Sequence, residues 1–216
     1  MTLRLHCFGE SGNAYKAALL LSLTGTPWQP VFVDFFNGAA RGDAFRALNP
    51  MGEVPVLEDG DLVLTQSGVI LDHLARKTGA FAPEGEGEHR QVLRWLLWDA
   101  HRMSGLAGAT RFLMNFLPEE TRVQAVIDWQ QGRLHAALGV LDGHLAGRDW
   151  LAADRPTIAD LACCSYLYFP EPFGFDRGAW ANIDAWLARL AALDGWAHPY
   201  DLMPRAYPPG AAAEGG

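Results

Sequence analysis

The pattern of apolar residues changes near residue 80, and this change constrains the fold more than any other feature of the chain. Before it, short strand-like runs alternate with short helical runs, and after it the apolar residues recur at helical spacing. The residues between, AFAPEGEG at 80–87, mix proline, glycine and acid and are typical of a linker. We therefore expect a mixed α/β domain over 1–79 and an all-helical domain over 88–205. The residues from 206 to 216 end in PPGAAAEGG, which predicts a disordered tail.

The first domain is predicted to contain, in order, a strand, a helix, a strand, a short helix, a hairpin and a helix. The runs LRLHCF, AYKAALLLSL and WQPVFVDF predict the first strand, helix and second strand. Pro30 confines that second strand to a sheet edge or a late start, because proline has no N–H for a strand ladder. A hairpin is predicted by the runs Val54–Glu58 and Leu62–Leu64, which are joined by Asp59-Gly60. This order predicts a parallel βαβ unit followed by an antiparallel pair, in one small mixed sheet with helices packed on it.

The second domain is predicted to contain four helices. They are expected at about 88–116, at 119–146, from about 157 onward, and near 182–193. The third begins with a capping-box pattern, in which Thr157 is followed three residues later by the carboxylate of Asp160. The next residues, LACCSYLYF, are apolar almost all round, so we expect this helix to be central.

Composition and charge exclude several classes of function. Half of the residues are hydrophobic and the formal net charge is −8, which argues against nucleic acid and anionic membrane surfaces as partners. No apolar run reaches the roughly 18 residues of a membrane-spanning helix, and the N-terminus does not resemble a signal peptide. The three cysteines, of which Cys163 and Cys164 are adjacent, do not form a disulfide framework. We therefore expect a protein of the reducing cytoplasm, and since the seven histidines lack metal-ligand spacing, we expect no metal.

Two separate motifs resemble the soluble glutathione S-transferase family. The first is NPMGEVPVLEDG followed by LTQSGVILDHLA, and the second is the buried capping box in PTIADLACCSYL. The likeness covers about residues 1–200 and is to bacterial, serine-type members. It implies a thioredoxin-like βαβ-α-ββα domain followed by an all-helical domain that supplies dimer contacts. It also implies a homodimeric transferase, of the kind used in detoxification, that conjugates the glutathione thiolate to a hydrophobic electrophile.

The resemblance implies that the first domain holds glutathione. A cis bond between Val54 and Pro55 would turn the Val54 N–H and C=O outward, to pair with the cysteinyl backbone of the tripeptide. Ser67, at a helix N-terminus, would hold the γ-glutamyl carboxylate, and the Gln66 carbonyl would take the ammonium. From the residues alone, Ser67 is a helix cap and Pro55 a trans proline that starts a strand.

One position departs from the family pattern. Relatives often place Lys, Arg or Gln directly before Val-Pro, where it meets the glycyl carboxylate of glutathione, whereas this chain has Glu53. A carboxylate at this position repels the ligand. Arg41, in the loop after the second strand, is a candidate to supply the missing cation, and its alternative reading is an ordinary surface arginine.

The thiol-activating group is expected in the loop after the first strand. The resemblance assigns this role to the Ser11 hydroxyl, with the amide of Asn13 also directed at the sulfur, while the alternative reading is that both shape the turn and cap the helix. Tyr15 is a weaker candidate, because the activating tyrosines of other classes lie on or directly after the strand, and it is expected beside the second substrate. Cys7 lies on the strand itself and is predicted to be a buried apolar residue.

The electrophile site is expected between the domains, with a hydrophobic lining that favours a hydrophobic substrate. Its candidate residues, of which we expect a minority to contact substrate, are Tyr15, Trp98, Arg102, Met103, Phe112, Tyr166, Tyr168 and Phe169. Two alternatives stay open. The protein is a glutathione-dependent disulfide reductase or isomerase, or it is a non-catalytic binding or assembly module, which Glu53 favours and the combination of Ser11, Val54-Pro55 and Gln66-Ser67 disfavours.

Overall fold

The chain forms two structural units. The computed structural model describes residues 2–208. The first unit combines the residues up to Ala80 with the segment that begins at Asp194, and the second unit is Phe81–Leu193.

The first unit contains one mixed sheet, as predicted. In chain order its elements are β1 (Leu3–Cys7), α1 (Gly12–Leu23), β2 (Trp28–Phe32), α2 (Asp43–Leu48), β3 (Val56–Asp59), β4 (Leu62–Thr65) and α3 (Ser67–Thr78). The strand order is β2-β1-β3-β4. β1 pairs with β2 in parallel and with β3 antiparallel, and β3 pairs with β4 antiparallel. The βαβ-α-ββα order is therefore confirmed.

Two local signals explain this sheet. Pro30 lies in β2, which is an edge strand, so its missing N–H can face away from the ladder. The turn between β3 and β4 places Gly60 at φ 64, a left-handed conformation that glycine adopts without steric cost. Both signals were legible in the sequence because each depends on one or two neighbouring residues.

The second unit is helical. Its helices are α4 (Gly85–Trp98), α5 (Ser104–Asn115), α6 (Gln124–Leu145), α7 (Ile158–Cys164) and α8 (Ala181–Ala191). The helix expected over 88–116 is in fact two helices, joined by a π-helical turn at Asp99–Met103. The buried Asp99 carboxylate accepts a hydrogen bond of 2.9 Å from the Ser104 hydroxyl, five residues ahead. A spacing of five residues matches the wider π turn, and no sequence pattern signalled it.

The predicted capping box forms at the start of α7. The Asp160 carboxylate accepts from the Thr157 amide at 2.9 Å, and the Thr157 hydroxyl accepts from the Ala159 amide at 3.2 Å. The second Asp160 oxygen accepts from the Leu151 amide and the Trp186 indole, each at 3.0 Å. Every residue of α7 is buried, so the expectation of a central helix is confirmed.

The unit boundaries differ from the predicted domain boundaries. The expected linker 80–87 is largely part of the helical unit, where the Phe81 carbonyl accepts from the Ile158 amide at 2.9 Å. Residues 194–205, expected with the helices, belong to the first unit, where the short helix α9 (Pro199–Leu202) packs on α1. Of the expected tail, Ala206 is buried in the first unit, and residues 209–216 lie outside the described residues.

Within residues 2–208, none of the helices combines the length and the apolar character that crossing a membrane requires.

Candidate functional site

The backbone of Val54, two residues before β3, carries an N–H and a carbonyl that have no partner among the described residues. The Val54-Pro55 peptide bond is cis, Pro55 is buried and Val54 is partly exposed. Among residues 2–208, no group accepts from the Val54 N–H or donates to the Val54 carbonyl. Val54, two residues before β3, therefore offers one backbone donor and one backbone acceptor.

A buried asparagine holds the loop that leads to Val54. The Asn49 side chain is 1% exposed. Its amide donates to the Glu53 carbonyl at 2.7 Å, and its oxygen accepts from the Met51 amide at 3.1 Å. Asn49 thus fixes the peptide unit directly before Val54. Asn49 lies in the motif NPMGEVPVLEDG, but no role was predicted for it from the sequence.

The start of α3 is joined to α1 through Ser67. The Ser67 hydroxyl donates to the Asn13 side-chain oxygen at 3.4 Å and accepts from the Lys16 ammonium at 3.4 Å. Gln66 precedes the helix at φ 68, so the chain turns sharply between β4 and α3. The structure therefore brings together three polar residues at the ends of two helices that pack on one another.

Ser11 caps α1 in a way that leaves its proton available. Its oxygen accepts from the Ala14 amide at 3.2 Å, and Ser11 as a whole is only 7% exposed. Within residues 2–208, neither the Ser11 hydroxyl proton nor the Asn13 amide nitrogen has an acceptor. Two side chains at the start of α1 are therefore hydrogen-bond donors that lack an acceptor in the described part of the chain, which is the property needed to stabilise an anion.

No role was predicted for Lys16 from the sequence. It is 1% exposed on α1, and its ammonium contacts Ser67. A buried lysine needs polar or anionic partners, because removing a charge from water is costly. The available signal was a single cation inside the apolar run AYKAALLLSL. A lysine placed there is either a surface residue on an otherwise buried helix or a functional charge.

Glu53 lies beside Gln66, whereas the described residues show no contact of Arg41 with Glu53 or Gln66. The Glu53 carboxylate accepts from the Gln66 side-chain amide at 3.3 Å. Arg41 ends the 3-10 turn Ala39–Arg41 and is exposed, without an ion pair to any described residue. The structure therefore places the negative charge of Glu53 next to the start of α3, and the expected compensating cation stays a prediction.

Tyr15 and the cysteines occupy the interior. Tyr15 is fully buried in the first unit, and its hydroxyl donates to the Ala197 carbonyl at 2.9 Å, so its side chain does not form an accessible wall. Burial raises the pKa of the Cys7 thiol to about 12, which leaves it protonated and unreactive. Cys163 and Cys164 are buried in α7.

Two groups of contacting side chains in the helical unit contain predicted electrophile residues. Trp98 packs edge-on against Trp95, with ring centroids 5.1 Å apart, and with Arg94, Val140 and His144 these residues line a cavity of about 200 Å³. Arg102 and Met103 lie in the π turn, where Met103 is buried and Arg102 is partly exposed.

The other group surrounds a buried arginine. Arg111 is paired with Glu171 at 2.7 Å and lies over the rings of Phe169 and Phe116. Phe112 contacts Phe116, and Tyr166 contacts Phe169. Phe112 and Tyr166 are thus brought to one aromatic cluster, apart from the contacts of Trp98, whereas Tyr168 donates to the Leu187 carbonyl at 2.8 Å.

Comparison with known proteins identifies relatives of both units. Residues 1–76 match the family model described as glutathione S-transferase, N-terminal domain, and residues 108–194 match glutathione S-transferase, C-terminal domain. A crystal structure of a glutathione S-transferase from Pseudomonas fluorescens is 30% identical with a TM-score of 0.86, over 92% of this chain and 99% of that one.

Two other relatives add information on a ligand and on a second activity. A glutathione transferase from Burkholderia graminis, solved with two glutathione molecules bound per subunit, is 26% identical with a TM-score of 0.80 and covers 90% of this chain and 85% of its own. The disulfide-bond oxidoreductase YfcG of Escherichia coli is 25% identical over 88% of this chain and 86% of its own.

Proposed function

Because the chain belongs to the glutathione S-transferase family, we propose that it binds glutathione on its first unit and conjugates the thiolate to a hydrophobic electrophile. The observation that carries this proposal is the pair of donors at the start of α1. Ser11 and Asn13 both have hydrogen-bond donors without acceptors among the described residues, next to a helix N-terminus. Such a group of donors stabilises an anion.

The tripeptide backbone binds at Val54. Its N–H and C=O, which have no partner from Thr2 to Pro208, match the acceptor and donor of a cysteinyl residue in an added strand. Recognition through the main chain places no demand on the Val54 side chain, and Asn49 keeps this peptide unit in place.

The γ-glutamyl end binds at the start of α3. Its carboxylate is held by the Ser67 amide and by other amides of the first helical turn, where the helix dipole favours negative charge. The Lys16 ammonium, already in contact with Ser67, adds a positive charge to this position. The ammonium of the ligand pairs with the Gln66 carbonyl.

The thiol is ionised by hydrogen bonding to the donors of α1. A free thiol has a pKa of about 8.5, and lowering it by about two units requires roughly 2.7 kcal/mol of preferential stabilisation of the anion. The Ser11 hydroxyl is the main donor, because the Ala14 amide bonded to its oxygen makes its proton a better donor. The Asn13 amide, oriented by Ser67, is the second donor.

The second substrate is held by the helical unit, on the aromatic cluster that includes Phe112 and Tyr166 or beside Trp98. We expect the working form to be a cytoplasmic homodimer. Exposed apolar side chains on α4 and α6 support this expectation, namely Leu93, Leu97, Val126, Trp129 and Val140. Sedimentation velocity tests it: a monomer at micromolar concentration contradicts it.

The activating role of Ser11 is tested by a thiol titration. Bound glutathione is titrated by thiolate absorbance in the wild type and in Ser11→Ala. We expect the pKa of the bound thiol to rise by about one to two units, and kcat/KM at pH 6.5 with an aryl halide to fall about 10- to 100-fold, because one pKa unit is a factor of ten in thiolate. Calorimetry is expected to give a nearly unchanged glutathione affinity.

Ser22→Ala is the matched control. Ser22 lies at the other end of α1, and its hydroxyl donates to the Gly195 carbonyl, so its loss affects the same helix without touching the donors. An unchanged thiol pKa in Ser11→Ala together with a raised one in Asn13→Ala moves the activating role to Asn13. No glutathione binding up to millimolar concentration contradicts the enzyme and favours a binding or assembly module.

Disulfide reduction is the second candidate function, and similarity to the oxidoreductase YfcG favours it. Asn13 fits this reaction equally well, since it too requires a glutathione thiolate. Product analysis separates the two: reduction of a glutathione mixed disulfide faster than conjugation of an aryl halide assigns the protein to the reductases.

A further inference from the structure

The turn that carries Ser11 is held by a segment almost 200 residues away. The Ser11 amide donates to the Phe8 carbonyl at 3.1 Å, so Gly9 and Glu10 are the two central residues of a turn. The Gly9 amide donates to the Pro204 carbonyl at 2.7 Å. We call residues 203–207 the C-terminal strap.

Glu10 receives three further hydrogen bonds from the strap. Its carboxylate accepts from the Ala206 amide at 2.9 Å, from the Tyr207 amide at 3.2 Å and from the Arg205 guanidinium at 3.2 Å. Its side chain is 1% exposed. A buried carboxylate with three donors is held firmly, because each rearrangement would leave a buried polar group unpaired.

The contact between turn and strap has no spare room. A Cβ atom on Gly9 would lie 3.2 Å from the Met203 carbonyl oxygen and 3.3 Å from the Arg205 Cα, both backbone atoms. The strap also reaches the loop after β2, where the Tyr207 ring contacts Phe36 with centroids 5.2 Å apart. The strap therefore joins the loops that follow both parallel strands of the sheet.

We propose that Glu10 is a positioning residue for thiol activation, which holds the turn against the C-terminal strap and so fixes the direction of the Ser11 hydroxyl. This inference rests on the proposed function of Ser11. A hydroxyl stabilises a thiolate only when its O–H is aimed at the sulfur, and the strength of a hydrogen bond falls steeply with misalignment. Gly9 and Glu10, the two residues that lead into Ser11, are both hydrogen-bonded to the strap. The strap therefore determines the direction of the Ser11 O–H.

Two independent changes to this contact test the proposal. Glu10→Gln keeps the volume of the side chain, but its NH₂ group faces at least one strap N–H in place of an acceptor oxygen. A chain ending at Met203 removes the partners themselves. In both we expect the pKa of the bound glutathione thiol to rise by about one unit and kcat/KM at pH 6.5 to fall about tenfold, since one unit is a tenfold loss of thiolate. Above the new pKa, kcat/KM should recover, and glutathione affinity should stay close to that of the wild type.

Matched controls separate this from general loss of stability. A chain ending at Pro208 keeps the whole strap and should behave as the wild type. Asp142→Asn changes a carboxylate that accepts from the Asn182 and Ile183 amides in the helical unit, so it should lower the unfolding temperature without moving the thiol pKa.

The outcomes distinguish this proposal from the proposed function. If Ser11→Ala raises the thiol pKa while Glu10→Gln and the shortened chain leave it unchanged, the positioning role is wrong and the activation by Ser11 stands. If Ser11→Ala itself has no effect, the exchange rate of the Ala14 amide, which bonds the Ser11 oxygen, decides. Faster exchange in Glu10→Gln than in Asp142→Asn supports positioning of Ser11 by the strap, and equal exchange overturns it.

Discussion

Removing the Asp160 carboxylate should lower the free energy of unfolding of the helical unit by more than any substitution of a helix cap at the surface. In Asp160→Ala, the amides of Thr157 and Leu151 and the indole N–H of Trp186 lose their acceptor, and so does the Thr157 hydroxyl. The exposed fractions of these three residues are 0%, 3% and 0%, so water does not replace the lost partner without opening the core.

The expected loss follows from the number of donors left without a partner. A buried donor without an acceptor costs about 1–3 kcal/mol, so three of them cost at least about 3 kcal/mol. This is a large part of a total stability of roughly 5–15 kcal/mol. For a chain of this size it lowers the midpoint of thermal unfolding by on the order of 6–12 °C.

Urea unfolding followed by circular dichroism measures the loss. Asp160→Asn should lie between the wild type and Asp160→Ala, because the amide keeps one acceptor oxygen. Asp176→Ala is the matched control, since Asp176 accepts from the Gly178 amide at 3.0 Å at an exposed turn and water can take its place. If Asp160→Ala costs no more than Asp176→Ala, the buried hydrogen bonds of the capping box do not stabilise the unit as argued.

Two further predictions concern charge. Hydrogen bonds from His6 to Glu58 and from Lys77 and His73 to Asp59 hold the pKa of both carboxyls below their usual values. Their stabilisation is therefore complete above the unfolded-state values of about 4 and is lost as pH falls through the folded-state values. The urea midpoint should drop steeply below pH 4, and less steeply in Glu58→Gln; equal slopes contradict the assignment. Separately, Glu53→Gln removes a repulsive carboxylate and should tighten glutathione binding by about threefold at low salt, with a smaller gain at high salt. Calorimetry at two ionic strengths tests this, and weaker binding would indicate that Glu53 attracts the ligand ammonium instead.

The parts of the structure that were legible in the sequence depend on neighbouring residues. Asp59-Gly60 fixes a hairpin because the turn needs a residue at positive φ. Thr157 and Asp160 fix a helix start because the side chains and amides they bond lie within three residues. The family resemblance implied a cis Val54-Pro55 bond and therefore the outward-facing backbone of Val54. The general preference of X-Pro bonds alone would have predicted a trans bond.

The parts that were not legible depend on residues far apart in the chain. No role was predicted for Lys16, because Ser67, which its ammonium contacts, lies 51 positions later in the chain. No role was predicted for Glu10 either, because its partners lie near position 206. Tyr15 was expected beside substrate, but the carbonyl of Ala197 draws its hydroxyl into the interior. No local pattern encodes such pairs.

These distant pairs share one element, and they show that the first unit includes the C-terminal segment. The loop and helix over residues 9–23 bond to the C-terminal segment at Gly9, Glu10, Tyr15 and Ser22. A chain that ended at Ala80 would lose these hydrogen bonds, each of which contributes about 1 kcal/mol, and together they are a large part of the stability of a small domain. The change of sequence pattern near residue 80 therefore marks a change of secondary structure, and the unit that begins at β1 is complete only when the C-terminal strap has packed on its turn.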